Sequence, residues 1–256
     1  MRRAAEEFGQ LVYGIHPVQE LLAARAGEVE RIFVAREASG AVGRLLREAR
    51  QRGVPVTHLP RELLERKLGA RARHQGIAAQ VAPRRYEDSE ELCRELAERP
   101  GAILVMAEGV EDPRNLGAIL RTCAATGVDG ILLGVERTAG LTPAAVKSSA
   151  GTVERLRVAR EPRPGPRLEA LERTGFHTLA LDARGDVPWD RLDLRDRFVC
   201  VAGGEERGLR PGLLRACRSR VALPLAPGVN SLNVAVAVGV LLYEARRQRR
   251  ASRGQG

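Results

Sequence analysis

From Leu232 to Tyr243 the chain is apolar almost all the way round a helix, with Gly239 as its one small break. A helix without a polar face has to be buried on every side. It is too short to cross a bilayer, which takes about 20 apolar residues. It therefore belongs between a sheet and a second covering layer, which can be another element or another subunit. Just before it the chain reads Leu223-Pro224-Leu225-Ala226-Pro227-Gly228-Val229-Asn230-Ser231, a short strand and a bent loop, with Ser231 or Asn233 placed to cap the helix. The polar residues Asn230, Ser231 and Asn233 thus collect at a helix N-terminus, where free N–H groups and the positive dipole end favour ligands and chemistry.

The rest of the 256 residues alternates between helical and strand patterns. Residues 1–8 are charged and expected to fray. A helix with Val18, Leu21 and Leu22 on one face follows, then a strand over 30–35, a helix through Val42, Leu45, Leu46 and Ala49, a strand over 54–59, a helix after Pro60 and a strand ending at Val81. This predicts a small α/β domain over residues 1–83. Residues 84–99 are acidic between two basic flanks and read as a charged linker with one amphipathic helix. Over 100–250, strands are expected at 102–107, 130–133, 156–158, 176–181 and 198–202. Helices are expected at 113–126, near 143–149 and after Pro211, and residues 160–167 read as a stiff basic loop. That order predicts a mostly parallel, doubly wound sheet with its ligand beyond the carboxyl ends of the strands.

A net charge of +10 and a pI near 10.5 point to a polyanionic partner. Lys67 and Lys147 are the only lysines, so the positive charge is almost wholly arginine. Aromatics make up 3% of the chain, which argues against a base-stacking surface. Cys93, Cys123, Cys200 and Cys217 are widely spaced, without C-x-x-C or histidines at metal spacing, and read as reduced packing residues. With no signal peptide or membrane span, the expectation is a cytoplasmic protein with no membrane and no metal.

Three stretches after strands carry chemistry. The first is Asp112-Pro113-Arg114-Asn115-Leu116-Gly117-Ala118-Ile119-Leu120-Arg121-Thr122, a strand-to-helix turn with Pro113 at a first helical position. Arg121 stands out there among core positions, where a lone arginine usually snorkels. The second is Gly203-Gly204-Glu205-Glu206-Arg207-Gly208, whose spacing is neither the dinucleotide fingerprint nor a phosphate-binding Walker loop, and which alone reads as a tight turn. The third is the loop from Leu223 to Asn233. Together they can converge on one crevice and hold a ligand mainly by backbone groups.

In order and spacing these stretches resemble the three motifs of the SpoU/TrmH branch of the SPOUT RNA methyltransferases: N-x-G-x-x-x-R-T, G-x-E-x-x-G, and a proline-containing loop ending in S-L-N. The N-terminal half, with Tyr13-Gly14-Ile15-His16 and His74-Gln75-Gly76-Ile77, resembles a ribosomal protein L30-like substrate-binding domain. Over the whole length the chain is similar to the branch's 23S rRNA guanosine 2′-O-methyltransferases. One local departure is Lys147-Ser148-Ser149-Ala150-Gly151, where relatives tend to carry Cys-Gly-Ala.

The resemblance implies S-adenosylmethionine as methyl donor, 23S rRNA as partner, a homodimer, and a trefoil knot in the C-terminal α/β domain. By position it implies that Gly203, Gly204, Leu223 and Leu232 contact the donor. It also implies that Asn115, Arg121, Glu205, Ser231 and Asn233 form the polar catalytic set. Guanidinium holds its proton to a pH above about 12, so Arg121 is expected to position the 2′-hydroxyl and stabilise the developing oxyanion, with Glu205 orienting it. The competing readings are a tRNA or other rRNA target, or an inactive RNA-binding protein. A tRNA target is disfavoured by residues 1–83, which tRNA enzymes of this branch generally lack. An inactive protein is disfavoured by the intact motifs.

Overall fold

The computed structural model describes residues 10–36, 40–69, 72–82 and 86–252. The charged start at 1–8, and Pro83, Arg84 and Arg85, lie outside the described residues. The chain begins with β1 (Gln10–Tyr13), α1 (Ile15–Arg25), β2 (Val29–Ala35), α2 (Gly40–Gln51), β3 (Val56–Leu59), α3 (Arg61–Leu68) and β4 (Ile77–Val81). It continues with α4 (Ser89–Ala97), β5 (Ile103–Glu108), α5 (Pro113–Thr126), β6 (Gly130–Gly134), α6 (Pro143–Ser148), β7 (Val158–Glu161) and α7 (Pro164–Arg173). Last come β8 (His177–Leu181), β9 (Val187–Pro188), β10 (Phe198–Gly203), α8 (Pro211–Ala216), β11 (Ser219–Ala222) and α9 (Val234–Ser252).

Two units emerge. One is Met1–Arg85 with Leu141–Arg155; the other is Tyr86–Gly140 with Leu156–Gly256. The first carries a four-stranded sheet in the order β1-β4-β2-β3, with only β2 and β3 parallel. Phe33, Ala35, Leu64 and Ala78 form part of its core. The segment holding α6 packs onto this unit. Lys147 lies over the Tyr13 ring and donates to the Arg73 carbonyl at 2.9 Å, and Arg155 pairs with Glu20. Gly151 has φ +82 and sits so close to α1 that an added Cβ would lie 2.7 Å from Pro17 Cα. Membership of a unit therefore does not follow the linear order of the chain.

The second unit is built on a seven-stranded sheet, β7-β6-β5-β10-β8-β11-β9, in which every pairing is parallel. β5 is buried at all six positions, as expected of a strand covered on both faces. Its core gathers Leu104, Met106, Leu132, Phe176, Val199 and Val201. Leu92, Cys93 and Leu96 of α4 belong to the same core, so the stretch expected to be a linker is structural here. Its charges face solvent while its apolar stripe completes the sheet's cover, with Asp88 capping the helix through Glu90 and Glu91 N–H at 2.9 Å each. The expected stiff loop at 160–167 instead ends β7 and opens α7, because prolines in a first helical turn lack N–H groups that would be unpaired anyway. The last strand, β11, ends at Ala222 and so precedes Leu223 rather than containing it.

α9 runs to Ser252, well beyond its apolar part. Val238, Leu241 and Leu242 are fully buried, whereas Val236 is 52% and Tyr243 56% exposed. Gly239, the small break in the apolar run, faces α5 of its own chain, where an added Cβ would lie 3.6 Å from Thr122 Cγ2. Among the described residues no helix is long and apolar enough to cross a membrane.

Candidate active site

The site lies at the carboxyl ends of β5 and β10 and the start of α9. β5 leads through Gly109 to α5, which Asp112 caps by accepting the Arg114 N–H at 2.8 Å, with Pro113 in the first turn and Gly127 in the left-handed conformation at its end. That geometry places Asn115 in the first turn of α5. β10 ends at Gly203, and the following loop folds back on itself, the Gly208 N–H donating to the Gly204 carbonyl at 2.9 Å. An added Cβ on Gly203 would lie 2.4 Å from the Gly208 carbonyl carbon, and one on Gly204 would lie 2.0 Å from the Gly109 carbonyl oxygen. Both glycines are thus required by main chain packed against main chain.

A chain of amides ties the three motifs together. Asn233 caps α9, its Oδ1 accepting from the Ala235 and Val236 N–H groups at 3.0 and 3.4 Å. Its Nδ2 donates to Asn115 Oδ1 at 2.9 Å, and Asn115 Nδ2 donates to Glu205 Oε1. Both ends are fixed: helix N–H groups only donate and a carboxylate only accepts. Each amide therefore has one orientation that satisfies the chain. Within one chain Glu205 bonds Asn115 and not Arg121, the partner expected from sequence.

Two cavities flank the loop. The first, of about 470 Å³, is lined by Gly203, Gly204, Leu223, Ser231 and Leu232 together with Asp182 and Arg220, which form a salt bridge at 2.9 Å. Leu181, Leu209, Leu214, Val221 and Val234 supply apolar wall. The second, of about 590 Å³, is lined by Glu108, Asp112, Asn115, Glu136, Arg137 and Arg210. Gly204, Glu205, Arg207, Gly208 and Leu209 line both, so one loop is the shared wall. Of the nine residues singled out by motif, eight are brought together. Arg121 is not: it is exposed on α5, lines neither cavity, and has no hydrogen-bond or ion-pair partner among the described residues.

The sequence reading missed Glu108, Arg210, Asp182 and Arg220. Glu108 gave a signal, being a charged residue closing an otherwise apolar strand. Burial pushes its carboxyl above the usual range, against the pull of Arg210. Arg114 holds the Asp112 carboxyl below its ordinary value. Among the described residues no cluster of three or more His, Cys, Asp or Glu is placed to hold a metal ion.

Known proteins resemble this chain in sequence and in fold. The SpoU rRNA methylase family model matches residues 102–243, and a model for the substrate-binding domain of RNA 2′-O ribose methyltransferases matches residues 11–87. An uncharacterized tRNA/rRNA methyltransferase of Mycobacterium avium is 39% identical, over 97% of this chain and 81% of its own length. The S-adenosylmethionine-bound structure of the SpoU methyltransferase AviRb from Streptomyces viridochromogenes superposes with a TM-score of 0.79 at 26% identity, covering 97% of this chain and 94% of that one. An S-adenosylmethionine-bound rRNA methyltransferase from Sinorhizobium meliloti does so with a TM-score of 0.77 at 26% identity, covering 96% and 90%. The chain belongs to the SpoU rRNA methylase family of S-adenosylmethionine-dependent RNA methyltransferases.

Proposed function

We propose that this protein methylates the 2′-hydroxyl of a ribose in RNA, and that its target is a guanosine of 23S rRNA. The observation that carries the reading is the pair of cavities divided by one loop, with the Glu205–Asn115–Asn233 chain along the division. The first cavity suits S-adenosylmethionine: apolar walls for the adenine, main-chain groups of the glycine loop, and Asp182 and Arg220 as the polar pair. When bound, the donor supplies an electrophilic methyl group carried on a sulfonium. The second cavity, charged and open, takes the acceptor nucleotide.

The chain's own residues position the hydroxyl and ease loss of its proton. Asn115 and Asn233, locked in one amide orientation, hold the ribose, where a misplacement of about 1 Å can cost about 10²-fold in rate. Ser231 lines the donor side of the same crevice. Arg121 stabilises the oxyanion that develops on the attacking oxygen. Its guanidinium is already protonated at neutral pH and has no site for a further proton, so the hydroxyl proton passes to solvent as the methyl group leaves the sulfonium.

Arg121 reaches a site through a second copy of the chain. The half-buried to exposed face of α9 at Val236, Val240 and Tyr243 is apolar, and α5, packed beside it, presents Arg114, Arg121 and Ala125 to the outside. A two-fold mate laid on that surface buries the apolar face and brings each unpaired Arg121 toward the neighbouring crevice. The N-terminal unit supplies RNA affinity and choice of target rather than chemistry.

Mapping 2′-O-methyl positions in rRNA from cells with and without the protein tests the function. One guanosine in 23S rRNA should lose its methyl; an unchanged map, with methyl lost from tRNA instead, overturns the target. Tyr243→Glu tests the assembly, and should give monomers in ultracentrifugation that lose turnover with dimerisation.

A further inference from the structure

The salt bridge beneath the second cavity has no structural reason to exist in the form it takes. Glu108 ends β5 and is 4% exposed. Its Oε1 accepts from Arg210 Nη2 at 2.6 Å, but among the described residues no donor reaches Oε2. The sheet makes room for that oxygen: at Gly134 an added Cβ would lie 1.7 Å from Oε2. Burying a carboxylate with half its acceptor capacity unserved is unfavourable, and a well-packed apolar side chain would stabilise the strand end at least as well. The partner is half in water, which weakens the pair's contribution further.

What the pair does achieve is orientation. Arg210 is 54% exposed and lines the second cavity, with one prong anchored on the floor by Glu108. The other prong, Nη1, donates at 2.8 Å to Glu136 Oε2, and Glu136 is 70% exposed. One carboxylate is fixed and the other is free to leave. A guanidinium held this way offers a forked set of donors to an incoming oxyanion, and a phosphodiester fits that fork.

We propose that Arg210 is the seat of an RNA backbone phosphate beside the target nucleotide, that Glu108 is its positioning residue, and that Glu136 is the counter-ion the phosphate displaces. The inference rests on the second cavity being the acceptor cavity. It makes Arg210 the group that sets how deep the strand settles against the loop shared with the donor, so its loss affects both RNA affinity and turnover.

The test uses full-length protein, an unmodified 23S rRNA transcript and a series of salt concentrations. Arg210→Ala should leave S-adenosylmethionine affinity by calorimetry unchanged, weaken transcript binding, and flatten the slope of log affinity against log salt by about 0.7, the loss of one phosphate contact on a single strand. Glu136→Gln should bind the transcript at least as tightly as wild type. Glu108→Gln should weaken the transcript and lower turnover while melting no lower than wild type at neutral pH. A merely structural Glu108 would instead lose melting temperature and donor affinity together. Wild-type affinity and slope in Arg210→Ala would overturn the proposal, and so would weakened binding with an unchanged slope, which marks a contact to a base. Wild-type protein that binds the transcript with an Arg210-dependent slope yet transfers no methyl would overturn the function and leave the phosphate seat standing.

Discussion

The amide chain makes Asn233→Asp the most informative single change. Asn233 does two things with two ends of one side chain: Oδ1 caps α9, and Nδ2 donates to Asn115. Aspartate keeps the cap, worth about 1 kcal/mol, because its carboxylate accepts from the same helix N–H groups. Its charge at a helix N-terminus adds about 0.3–1 kcal/mol. Thermal stability should therefore hold or rise slightly. The link to Asn115 has the opposite fate, since two acceptors now face each other. Asn115 cannot relieve this by turning its amide over, because its Nδ2 is held by Glu205. A satisfied bond of about 1 kcal/mol becomes a repulsion, and the two amides proposed to hold the ribose lose their fixed geometry. A loss of about 10²-fold in single-turnover methyl transfer is the expected scale, equivalent to about 2.7 kcal/mol in the barrier. Asn115 does not line the donor cavity, so S-adenosylmethionine affinity should change little. Calorimetry, melting curves and single-turnover transfer on the rRNA transcript separate the terms. Turnover within a few-fold of wild type would refute the alignment role, and a melting temperature that fell with activity would show that the cap, not the chain, had been broken.

What the sequence made legible, and what it hid, follows from how far each signal reaches along the chain. α5 was readable to its ends because its stop and start signals are local: Asp112 and Pro113 at one end, Gly127 at the other. β5 was readable as an unbroken apolar run. α7 was hidden because Pro164 and Pro166 look like breakers until they are placed in a first turn, where no N–H is missed. α4 is legible as an amphipathic helix, with Leu92, Cys93 and Leu96 at the right period, but its place in a charged linker gives no sign that this face completes the core of the second unit. The motif residues could be gathered into one crevice because each follows a strand of a parallel sheet, and such sheets deliver those positions to one edge. The order in which they bond is not legible, and within one chain Glu205 bonds Asn115 where Arg121 is the partner expected from sequence. Glu108 and Arg210 are 102 residues apart, and nothing local to either points to the other.

Three further changes test close packing at the glycine loop and backbone strain elsewhere. Gly204→Ala drives a Cβ to 2.0 Å from the Gly109 carbonyl oxygen, so the shared wall must shift; donor affinity should collapse with a stability loss of about 1–3 kcal/mol or more. Gly212→Ala, where an added Cβ meets nothing within 4 Å, is the tolerated control, and equal damage in both would refute the close-packing argument. Ala150 is held at φ 55 in the departing 147–151 loop. The left-handed conformation costs a non-glycine residue about 1–2 kcal/mol, against the roughly 0.5–1 kcal/mol of extra chain entropy that glycine loses on folding. Ala150→Gly should therefore raise the melting temperature slightly, and a clear drop would show that the methyl group's contacts matter more than the backbone. The last prediction concerns pH. Burial holds the Glu108 proton more tightly in the folded protein than in the unfolded chain. Its contribution to stability is then fully present below the ordinary glutamate value of 4.5 and is lost as pH rises through the folded value, which lies higher. Glu108→Gln removes the titration, so the variant should gain on wild type in melting temperature as pH rises from below 4.5 to neutrality. A difference that stayed flat, or shrank, would mean that Arg210 compensates the buried charge in full, and that the carboxylate is retained without cost to the fold.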